Sequence, residues 1–588
     1  MSTQIKTACP LDCYDSCSII YENGKIKPDI NHPVTKNFLC PFLNKYEKFP
    51  RIEKPRYKGE EISLDEALEI LSEKLKEYKD KKSILYRGSG NLGKMQEVTN
   101  LFFAKYGSFL TTGSLCDAAG HHGIVEGRGA NIALPPSAIE EAETVILWGR
   151  NLSVTNSHLM PYLKGKYLIV IDPVKTDIAK MADLFVQIRP RSDFFLALLL
   201  SRVTYMEIME DEKFLNERTE NFEDYYHFFR SYKMKDMMKR CGINLNHIGD
   251  ILYRVKGKRT VILVGTGVQK YSIGSSVLRA IDSFGAMLGL FGKKGSGVSY
   301  LGDSSFNFAT PFSVKAKTIP KPEVDFRKFD FIFVQGANPA TQAPNSKAAK
   351  EGLEKNFSVY FGLFENETSK RSDLVIPAKN FLEKEDVKIS YGHEYLFFMP
   401  KIKDSSIGIS EYDLTAYLFE KFGYGKLKSE KEYIKEIIES NTIKEGEYLK
   451  AKHYEKLPYE DKFYTDSGKF IFIDELDDSE EEFFYEEIDE EDFFLITAKH
   501  KHSLNSQFGV DEYLYVPPLL GFKDGDLAEV STDVGKEIFK VKISDRLRRD
   551  TLLVYSSNPK ANHLIEAISS DEGENAVFNT TARIRKVE

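Results

Sequence analysis

The chain contains 588 residues with a net charge of −8, and 42% of its residues are hydrophobic. This length predicts about three to five domains, and the lack of a basic tract argues against a nucleic-acid partner. Four of the six cysteines lie in the first forty residues, which is not the pattern of a secreted disulfide framework. The N-terminal residues lack an apolar signal core, and no apolar run reaches the length of a membrane helix. We therefore expect a cytoplasmic protein without direct membrane insertion.

Cys9, Cys13, Cys17 and Cys40 form the first chemical motif of the chain. The first three, spaced C-x3-C-x3-C, can occupy three corners of a cubane, and the fourth can close the site from a returning loop. Four thiolates are the ligands of a [4Fe-4S] cluster. Structural zinc sites usually set two cysteine pairs apart, so this spacing favours iron–sulfur over zinc. Four buried or disulfide-bonded cysteines are a weaker alternative.

A helix is predicted after Ser63, because Ser63 and Glu66 form a capping box before an apolar stripe at helical spacing. A short strand beginning at Ser83 then leads into the glycine motif Gly88-Ser-Gly-Asn-Leu-Gly93, which matches G-x-G-x-x-G. Such glycines let a pyrophosphate approach a helix N-terminus in NAD-binding folds. That fingerprint also needs an acidic residue about twenty positions later, and segment 110–116 has none. The motif alone is weak evidence for NAD.

Four further apolar runs, which begin at Thr144, Tyr167, Thr260 and Phe329, predict parallel strands. They alternate with helical stretches over 194–203 and 274–288, so we expect sheets covered on both faces. Ligands bind such sheets at the carboxyl ends of the strands. The polar and turn residues there are Arg150, Asn151, Asp172, Gly265, Gly267, Gln269, Asn338 and Pro339. Any one of them alone could be an ordinary turn residue.

Cys116 is the second chemical motif. It lies in Gly113-Ser-Leu-Cys116, a segment of small residues that enters a helix, where backbone amides favour a thiolate. A thiolate there could be a nucleophile or a metal ligand, and a structural cysteine is the alternative. Of His121 and His122, which follow, we expect one to face solvent and the other to pack.

Taken together, these motifs resemble the molybdopterin oxidoreductases of the DMSO reductase family, which includes formate dehydrogenases, nitrate reductases and polysulfide or thiosulfate reductases. The resemblance rests on the order of the cysteine quartet, the segment at Cys116, and the segments 139–151, 170–176, 181–183, 188–193, 335–339, 367–378 with Glu383, 464–469, 505–508 and 523–530. It implies an α/β multidomain fold. An N-terminal iron–sulfur domain would precede two doubly wound parallel-sheet domains and a C-terminal six-stranded double-psi β-barrel.

The resemblance also implies where these domains begin and end. The cluster domain would span 1–54, one α/β domain would combine 55–112 with 328–400, and a second α/β domain that binds a pterin dinucleotide would span 113–327. A connecting segment with an acidic linker would span 401–490, and the barrel, which also binds pterin dinucleotide, would span 491–588. The chain is compact for the family, so we expect no extra cluster domain.

The implied cofactor is a molybdenum or tungsten atom held by two molybdopterin guanine dinucleotides, the bis(molybdopterin guanine dinucleotide) cofactor. Cys116 stands at the place of the family's protein ligand to the metal. Residues implied near phosphate are Trp148, Gly149 and Asn151; those implied on ribose or guanine are Asp172 and Asp193; those implied by the second pterin are Gly265 and Gly267. Residues implied near a nucleotide are Asn338 and, from the barrel, Asn505, Gln507 and Asn562. Acids and amides suit the edges of guanine and ribose, and backbone amides suit pyrophosphate.

Two residues depart from the family pattern. The family usually has lysine two residues after its fourth cluster cysteine, where it is thought to bridge cluster and pterin, whereas this chain has Phe42. A phenyl ring cannot supply a charged hydrogen bond, so Lys45 is the candidate substitute. Formate dehydrogenases commonly have histidine after the metal ligand, and here Asp117 follows Cys116. This second departure weakens the case for formate as substrate.

The resemblance implies a two-electron oxidation or reduction of formate, a sulfur compound or an oxyanion, with electrons relayed through the cluster to a ferredoxin-like iron–sulfur subunit or another redox carrier. A non-redox hydratase or transhydroxylase that uses the metal as a Lewis acid is the alternative from another chemical class. An inactive electron-transfer subunit without the active metal is the third.

Overall fold

The computed structural model describes residues 4–46, 48–302, 308–485, 489 and 491–587. They form two compact units, each assembled from separate stretches of the chain. The first unit comprises Met1–Thr112, Asn307–His453 and His502–Val510; the second comprises Gly113–Phe306, Tyr454–Lys501 and Asp511–Glu588. Within the described ranges, no helix is both long and apolar enough to cross a membrane.

The first unit is built on a sheet that has eight strands in the described part of the chain. Their order across the sheet is Lys317–Pro320, Phe109–Thr112, Ser83–Arg87, Phe331–Gln335, Phe357–Gly362, Leu374–Pro377, Arg56–Tyr57 and Glu60–Glu61. The first six are parallel to one another, and each of the last two pairs antiparallel with the strand before it. In chain order, the six parallel strands run 3-2-1-4-5-6, the order of a doubly wound sheet.

Both faces of this sheet are covered, which explains the continuous apolar runs of its strands. Phe331 and Phe333 face one core with the helix Leu64–Glu77, whereas Ile332 and Val334 face the opposite core. The remaining helices of the unit are Pro41–Tyr46, Thr99–Tyr106, Pro339–Gln342, Ser346–Lys355, Glu411–Lys421 and Glu430–Asn441. The capping box predicted at Ser63 and Glu66 is present at the start of Leu64–Glu77.

Two small antiparallel sheets complete the first unit. The N-terminal one consists of Ile5–Ala8, Ser18–Glu22 and Lys25–Pro28. The other has the order Asp386–Lys388, Tyr395–Met399, Tyr448–Ala451 and Thr442–Glu445. An N-terminal iron–sulfur domain therefore remains a prediction, attached to the first of these small sheets.

The second unit contains a parallel sheet that has five strands among the described residues. Their order is Leu184–Val186, Tyr167–Ile171, Thr144–Trp148, Thr260–Val264 and Gly297–Ser299, again a doubly wound 3-2-1-4-5 arrangement. The order reverses between Thr144–Trp148 and Thr260–Val264. The loops after these two strands therefore flank the crevice where such sheets bind ligands.

Helices cover this sheet, and two of them are buried on most sides. Asp193–Met206 and Gly274–Met287, both predicted from the sequence, pack against each other in the main core of the unit. The other helices are Ala118–Arg128, Pro136–Glu141, Leu152–Thr155, Glu212–Arg218, Phe222–Ser231, Met234–Cys241, Leu245–Val255 and Asp478–Tyr485. A two-stranded ribbon pairs Thr219–Glu220 with Phe470–Ile471.

A closed barrel completes the second unit, as predicted. Its six strands, in order around the barrel, are Phe493–Ala498, Thr551–Tyr555, Tyr513–Val516, Lys536–Ile543, Leu527–Ser531 and Thr580–Val587. Alternating side chains such as Ala528 and Val530 point into an apolar core. The α/β multidomain fold with a six-stranded barrel is thus confirmed.

The acidic run that begins at Asp474 lies in the segment that was expected to form an acidic linker. Its middle forms the helix Asp478–Tyr485, and the buried carboxylate of Glu480 accepts a hydrogen bond from Ser276. Burial raises the pKa of Glu480. Residues 486–488 and 490 of the run lie outside the described residues. This segment therefore packs on the core of its unit.

Candidate cofactor site

The predicted cluster cysteines converge at one end of the N-terminal sheet of the first unit. Cys9, Cys13 and Cys17 lie in the loop that joins Ile5–Ala8 to Ser18–Glu22, and the Cys9 amide donates to the Cys17 carbonyl over 2.8 Å. Cys40 directly precedes the helix Pro41–Tyr46. Cys9 and Cys17 are buried, and none of the four forms a disulfide.

These thiols influence one another's pKa values. Burial raises the pKa of Cys9 to about 12 and the pKa values of Cys13 and Cys17 well above the ordinary thiol value. Charge on the neighbouring thiols raises each of these three values further, and Cys40 is one of those neighbours. Thiols with pKa values raised in this way would need bound cations to ionise together, which fits a metal cluster. Among the described residues, however, no group of three or more His, Cys, Asp or Glu has the arrangement of a metal site.

A buried lysine that sequence reasoning missed lies beside these thiols. The Lys388 ammonium donates to the carbonyl oxygens of Cys9 and Leu11 over 2.7 and 2.8 Å. Burial lowers the pKa of Lys388, and the thiolates of Cys9, Cys13 and Cys17 oppose that change. The sequence alone shows Lys388 as one more lysine, at the end of the short strand Asp386–Lys388, and does not indicate that it is buried.

Neither Lys45 nor Phe42, the two residues considered near Cys40, provides a buried positive charge beside the thiols. Lys45 is exposed on the helix Pro41–Tyr46. The ring of Phe42 stacks on Phe508 with centroids 5.2 Å apart. The expectation that Lys45 substitutes for the usual lysine is therefore not supported, because its side chain faces solvent.

Cys116 lies in the second unit and is exposed. It comes just before Asp117, which is the N-terminal cap residue of the helix Ala118–Arg128. The hydroxyl of Ser114 accepts from the Cys116 amide over 2.9 Å and donates to Asp117 Oδ1 over 2.9 Å. Cys116 Sγ lies 3.1 Å from the same carboxylate oxygen. The thiol therefore has a proton acceptor in direct contact.

Two buried side chains, Gln269 and Lys270, hold the backbone at Cys116. The Lys270 ammonium donates to the carbonyl oxygens of Leu115 and Cys116 over 3.0 and 2.7 Å. The Gln269 amide donates to Cys116 O over 2.8 Å and accepts from the Gly120 amide over 3.0 Å. Burial lowers the pKa of Lys270 to about 8, which the charges of Cys116 and Asp117 partly oppose. The sequence indicated Gln269 only as a strand-end residue and gave no signal for Lys270.

Two predicted glycine loops meet where the strand order reverses. Gly149, with φ of +59°, follows Thr144–Trp148, and Gly265 follows Thr260–Val264. A Cβ on Gly265 would lie 1.8 Å from the Gly149 carbonyl oxygen, whereas one on Gly267 would lie at 3.7 Å. Only glycine at 265 permits this approach, and the bare backbone beside it suits a phosphate.

Two predicted acids, Asp172 and Asp193, lie at the same edge of this sheet. Asp172 follows Tyr167–Ile171 and accepts from the Val174 amide over 2.8 Å. Asp193 opens its helix and accepts from the indole of Trp148 over 2.7 Å. Burial raises the pKa of Asp172 to about 7 and that of Asp193 to about 6. Carboxyl groups whose pKa is raised by burial are candidates to accept hydrogen bonds from a bound ligand.

The polar groups beside the glycine loops also fit a dinucleotide. The buried Arg150 guanidinium donates to Asn156 Oδ1 over 2.6 Å and to the Val264 carbonyl over 3.4 Å, both neutral oxygens. In the described part of the unit, the buried Nδ2 of Asn156 has no hydrogen-bond acceptor. Asn151 caps no helix by its side chain and accepts from Ser153 over 2.6 Å. Asn562 is buried on the short turn Ala561–His563.

The other predicted nucleotide contacts belong to the first unit. Asn338 donates to Ser506 over 3.0 Å and accepts from the Thr368 hydroxyl over 3.0 Å. Asn505, with φ of +52°, donates to Asp12 Oδ2 over 3.3 Å. Gln507 pairs with Leu504 through the backbone. Asn505 is thereby close in the fold to the cysteine loop, whereas Cys116, Trp148 and Asn562 lie in the second unit.

The glycine motif has a packing explanation. A Cβ on Gly88 would lie 2.3 Å from the Gly336 carbonyl oxygen, and one on Gly93 would lie 1.9 Å from Asp386 Oδ2. Gly93 also forms a β-bridge with Lys388. These glycines therefore let the loop pack closely on a turn and on the strand Asp386–Lys388.

Two doubly wound α/β sheets, glycine loops at a strand-order reversal and a closed barrel define a multidomain cofactor-binding enzyme. The sequence matches the molybdopterin oxidoreductase family over residues 49–399 and the molybdopterin dinucleotide-binding domain over residues 519–582. The chain therefore belongs to the molybdopterin oxidoreductase family, as its resemblance to the DMSO reductase family predicted. The dinucleotide-binding domain supports a molybdenum or tungsten molybdopterin cofactor.

Several known proteins are similar to this chain. It is 26% identical over 529 residues to the probable oxidoreductase YyaE of Bacillus subtilis, covering 81% of this chain and 79% of the relative. It is 25% identical over 481 residues to a formate dehydrogenase subunit alpha of Methanocaldococcus jannaschii, covering 72% and 70%. Acetylene hydratase from Pelobacter acetylenicus superposes with a TM-score of 0.76 over 99% of this chain and 100% of that one, at 16% identity. The last similarity shows the fold alone.

Proposed function

We propose that this protein binds bis(molybdopterin guanine dinucleotide) with molybdenum or tungsten, carries one [4Fe-4S] cluster on its N-terminal cysteines, and oxidises or reduces a small substrate by two electrons. Formate, a sulfur compound or an oxyanion is the expected substrate. The observation that carries the proposal is the exposed Cys116 thiol on a backbone held by Gln269 and Lys270. A rigidly held, accessible thiol is what a protein ligand to the cofactor metal requires.

The residues around Cys116 have separate parts in this proposal. Bound at this site, the metal would supply two-electron chemistry. Asp117 Oδ1, which is 3.1 Å from Sγ, takes the proton that the thiol loses when it becomes a ligand. Lys270 and Gln269 fix the Cys116 carbonyl, so the direction of the Cα–Cβ bond is set before the metal arrives. The positive charge of Lys270 favours the thiolate.

The crevice at the glycine loops would hold the dinucleotide. The backbone at Gly149, Gly265 and Gly267 leaves room for pyrophosphate, and the buried Arg150 guanidinium supplies a positive charge there. Asp172 and Asp193 offer acceptor oxygens to the donors of guanine and ribose. The domain boundaries and the roles of Asn151, Asn338, Asn505, Gln507 and Asn562 are part of the same proposal.

The proposed cluster connects the site to a redox partner. It would carry electrons one at a time between the metal and a ferredoxin-like iron–sulfur subunit or another carrier. The name of the formate dehydrogenase relative, a subunit alpha, supports a protein with partner subunits.

Elemental analysis of anaerobically purified protein, with EPR before and after dithionite, tests both cofactors. We expect about four irons and one molybdenum or tungsten per chain. Cys116→Ala should abolish turnover with artificial electron acceptors and change the EPR signal of the metal. Cys241→Ala is the matched control, because Cys241 is buried and its thiol contacts the Ser192 carbonyl over 3.5 Å. Full activity of Cys116→Ala would contradict the ligand assignment.

One observation favours a non-redox hydratase as second candidate. The carboxylate of Asp117 lies 3.1 Å from Cys116 Sγ, at a position where a base could activate water beside a Lewis-acidic metal. Turnover without any electron acceptor would identify this activity. Iron without molybdenum or tungsten would instead identify an electron-transfer subunit.

A further inference from the structure

Lys388 combines complete burial with a positive charge and neutral hydrogen-bond acceptors. It is 0% exposed, and its backbone is fixed on both sides: it pairs with Phe397 of Tyr395–Met399 and forms a β-bridge with Gly93. The side chain therefore points in one direction, toward the carbonyl oxygens of Cys9 and Leu11 at 2.7 and 2.8 Å. Both acceptors lie in the loop of the cysteines.

This arrangement needs a negative partner. Burying an ammonium group is costly, and two carbonyl oxygens do not neutralise it. In the ranges that the structure describes, Lys388 forms no ion pair with a carboxylate; its hydrogen bonds go to Cys9 and Leu11. The nearby carboxylate of Asp12 is bonded instead by Tyr391 over 3.0 Å and by Asn505 over 3.3 Å. The negative charge around the ammonium comes first from the thiolates of Cys9 and Cys13, and then from Asp12 and the Cys17 thiolate.

We propose that Lys388 is the counter-charge of the four-cysteine cluster and raises its reduction potential. The inference rests on the proposed function only in requiring that the cluster be present. One-electron reduction adds a negative charge to the cluster, and a fixed cation beside it stabilises the reduced form more than the oxidised form. Lys388 is a positioning and tuning residue, because it contacts the ligand loop through carbonyl groups. Neither the exposed Lys45 nor Phe42, which is stacked on Phe508, can supply this charge.

The glycine motif fixes the backbone of Lys388. Gly93 forms a β-bridge with Lys388, and a Cβ on Gly93 would lie 1.9 Å from Asp386 Oδ2, so the loop packs closely on this strand. At the other end of the side chain, the ammonium holds the carbonyl groups of Cys9 and Leu11 through these two hydrogen bonds.

An EPR-monitored redox titration of the anaerobically purified holoenzyme tests the proposal. The variants are Lys388→Met, which keeps length and removes charge, Lys388→Arg, which keeps charge, and Lys45→Met as a control lysine near Cys40. We expect Lys388→Met to lower the equilibrium constant for cluster reduction about tenfold, a shift of ~59 mV for one electron. Lys388→Arg should stay closer to wild type than Lys388→Met, and Lys45→Met should leave the potential unchanged.

Each outcome separates the counter-charge from the cluster itself. Iron-free wild-type protein would overturn both the cluster and the role of Lys388. A full iron content with an unchanged potential in Lys388→Met would overturn the counter-charge alone. If Lys388→Met loses iron, retention of the cluster by Lys388→Arg supports a requirement for the cation. Loss in both folded variants, judged by circular dichroism, would show a packing role and overturn the proposal.

Discussion

The substitution Asp193→Asn should stabilise the cofactor-free protein at neutral pH and weaken its hold on the cofactor. Asp193 is 8% exposed, and burial raises its pKa from the ordinary 3.8 to about 6. At ~1.4 kcal/mol per pH unit, this difference corresponds to roughly 3 kcal/mol. Asparagine keeps an oxygen for the Trp148 indole, which donates to Asp193 Oδ1 over 2.7 Å, so this hydrogen bond is retained.

The sign of the effect follows from proton linkage. The folded protein binds the Asp193 proton more tightly than the unfolded chain, so the carboxyl group costs nothing below about pH 4. Between about pH 4 and pH 6 the unfolded chain loses this proton while the folded protein keeps it, so stability falls across this range. Above pH 6 the folded state buries the charge as well, and stability no longer changes with this group. The stabilisation by Asp193→Asn should therefore grow from near zero at pH 4 to at most ~3 kcal/mol at pH 8.

Trp148 provides a local probe for this experiment. It is the single tryptophan of the chain, it is fully buried, and it contacts the substituted residue directly. Urea titrations of cofactor-free protein, followed by tryptophan fluorescence at pH 5 and pH 8, report on this unit without interference from the other. The exposed Asp533→Asn is the control. If Asp193→Asn stabilised the protein equally at both pH values, burial of the carboxylate would not be the cause. If the molybdenum content of the holoenzyme were unchanged, Asp193 would not belong to the nucleotide site.

Two further predictions concern the loops and the core of the same unit. Gly265→Ala should abolish cofactor retention, measured as metal content after gel filtration, because its Cβ would lie 1.8 Å from the Gly149 carbonyl oxygen. The control is Gly249→Ala on the helix Leu245–Val255, whose Cβ would meet no atom within 4 Å and which should retain the cofactor. Equal retention by both variants would contradict the close approach. Arg128→Met should destabilise the protein by about 3–5 kcal/mol, measured by thermal unfolding, because it leaves the buried Asp282 carboxylate without its partner at 2.7 Å. Adding Asp282→Leu should recover most of this loss, and failure to recover would assign the effect to packing.

Local sequence signals predicted the regular elements well. The capping box at Ser63 fixed the start of a helix, and the apolar runs at Thr144 and Thr260 became neighbouring central strands. Because parallel strands carry their ligands at their carboxyl ends, the residues that follow those runs could be identified as site candidates without knowing the strand order. The alternation of side chains along a strand and the residue preferences of turns depend on only a few neighbouring residues. A single sequence is therefore enough to recognise them.

The missed residues depend on contacts between distant parts of the chain. Lys388 and Lys270 are lysines, a type that is mostly exposed, and only the folded structure shows each one bonded to carbonyls beside a cysteine. Lys45 was favoured because it is near Cys40 in sequence, yet its helix turns it to solvent. The acidic run is a similar case. Its charge indicated a linker, whereas its middle forms a helix with Glu480 packed on the core.

The interleaving of the two units also determines how the protein can be made. The strand Ser83–Arg87 pairs with Phe331–Gln335, and the whole segment Gly113–Phe306 of the other unit is synthesised between them. During translation, the early strand therefore presents an unpaired edge while a large part of a second unit emerges and folds. The barrel can close only when synthesis is nearly complete, because the last strand, Thr580–Val587, pairs with both Phe493–Ala498 and Leu527–Ser531. Such non-local pairing makes folding slow and exposes the nascent chain to aggregation. We expect its yield in a foreign host to depend more on chaperones and growth temperature than on codon usage.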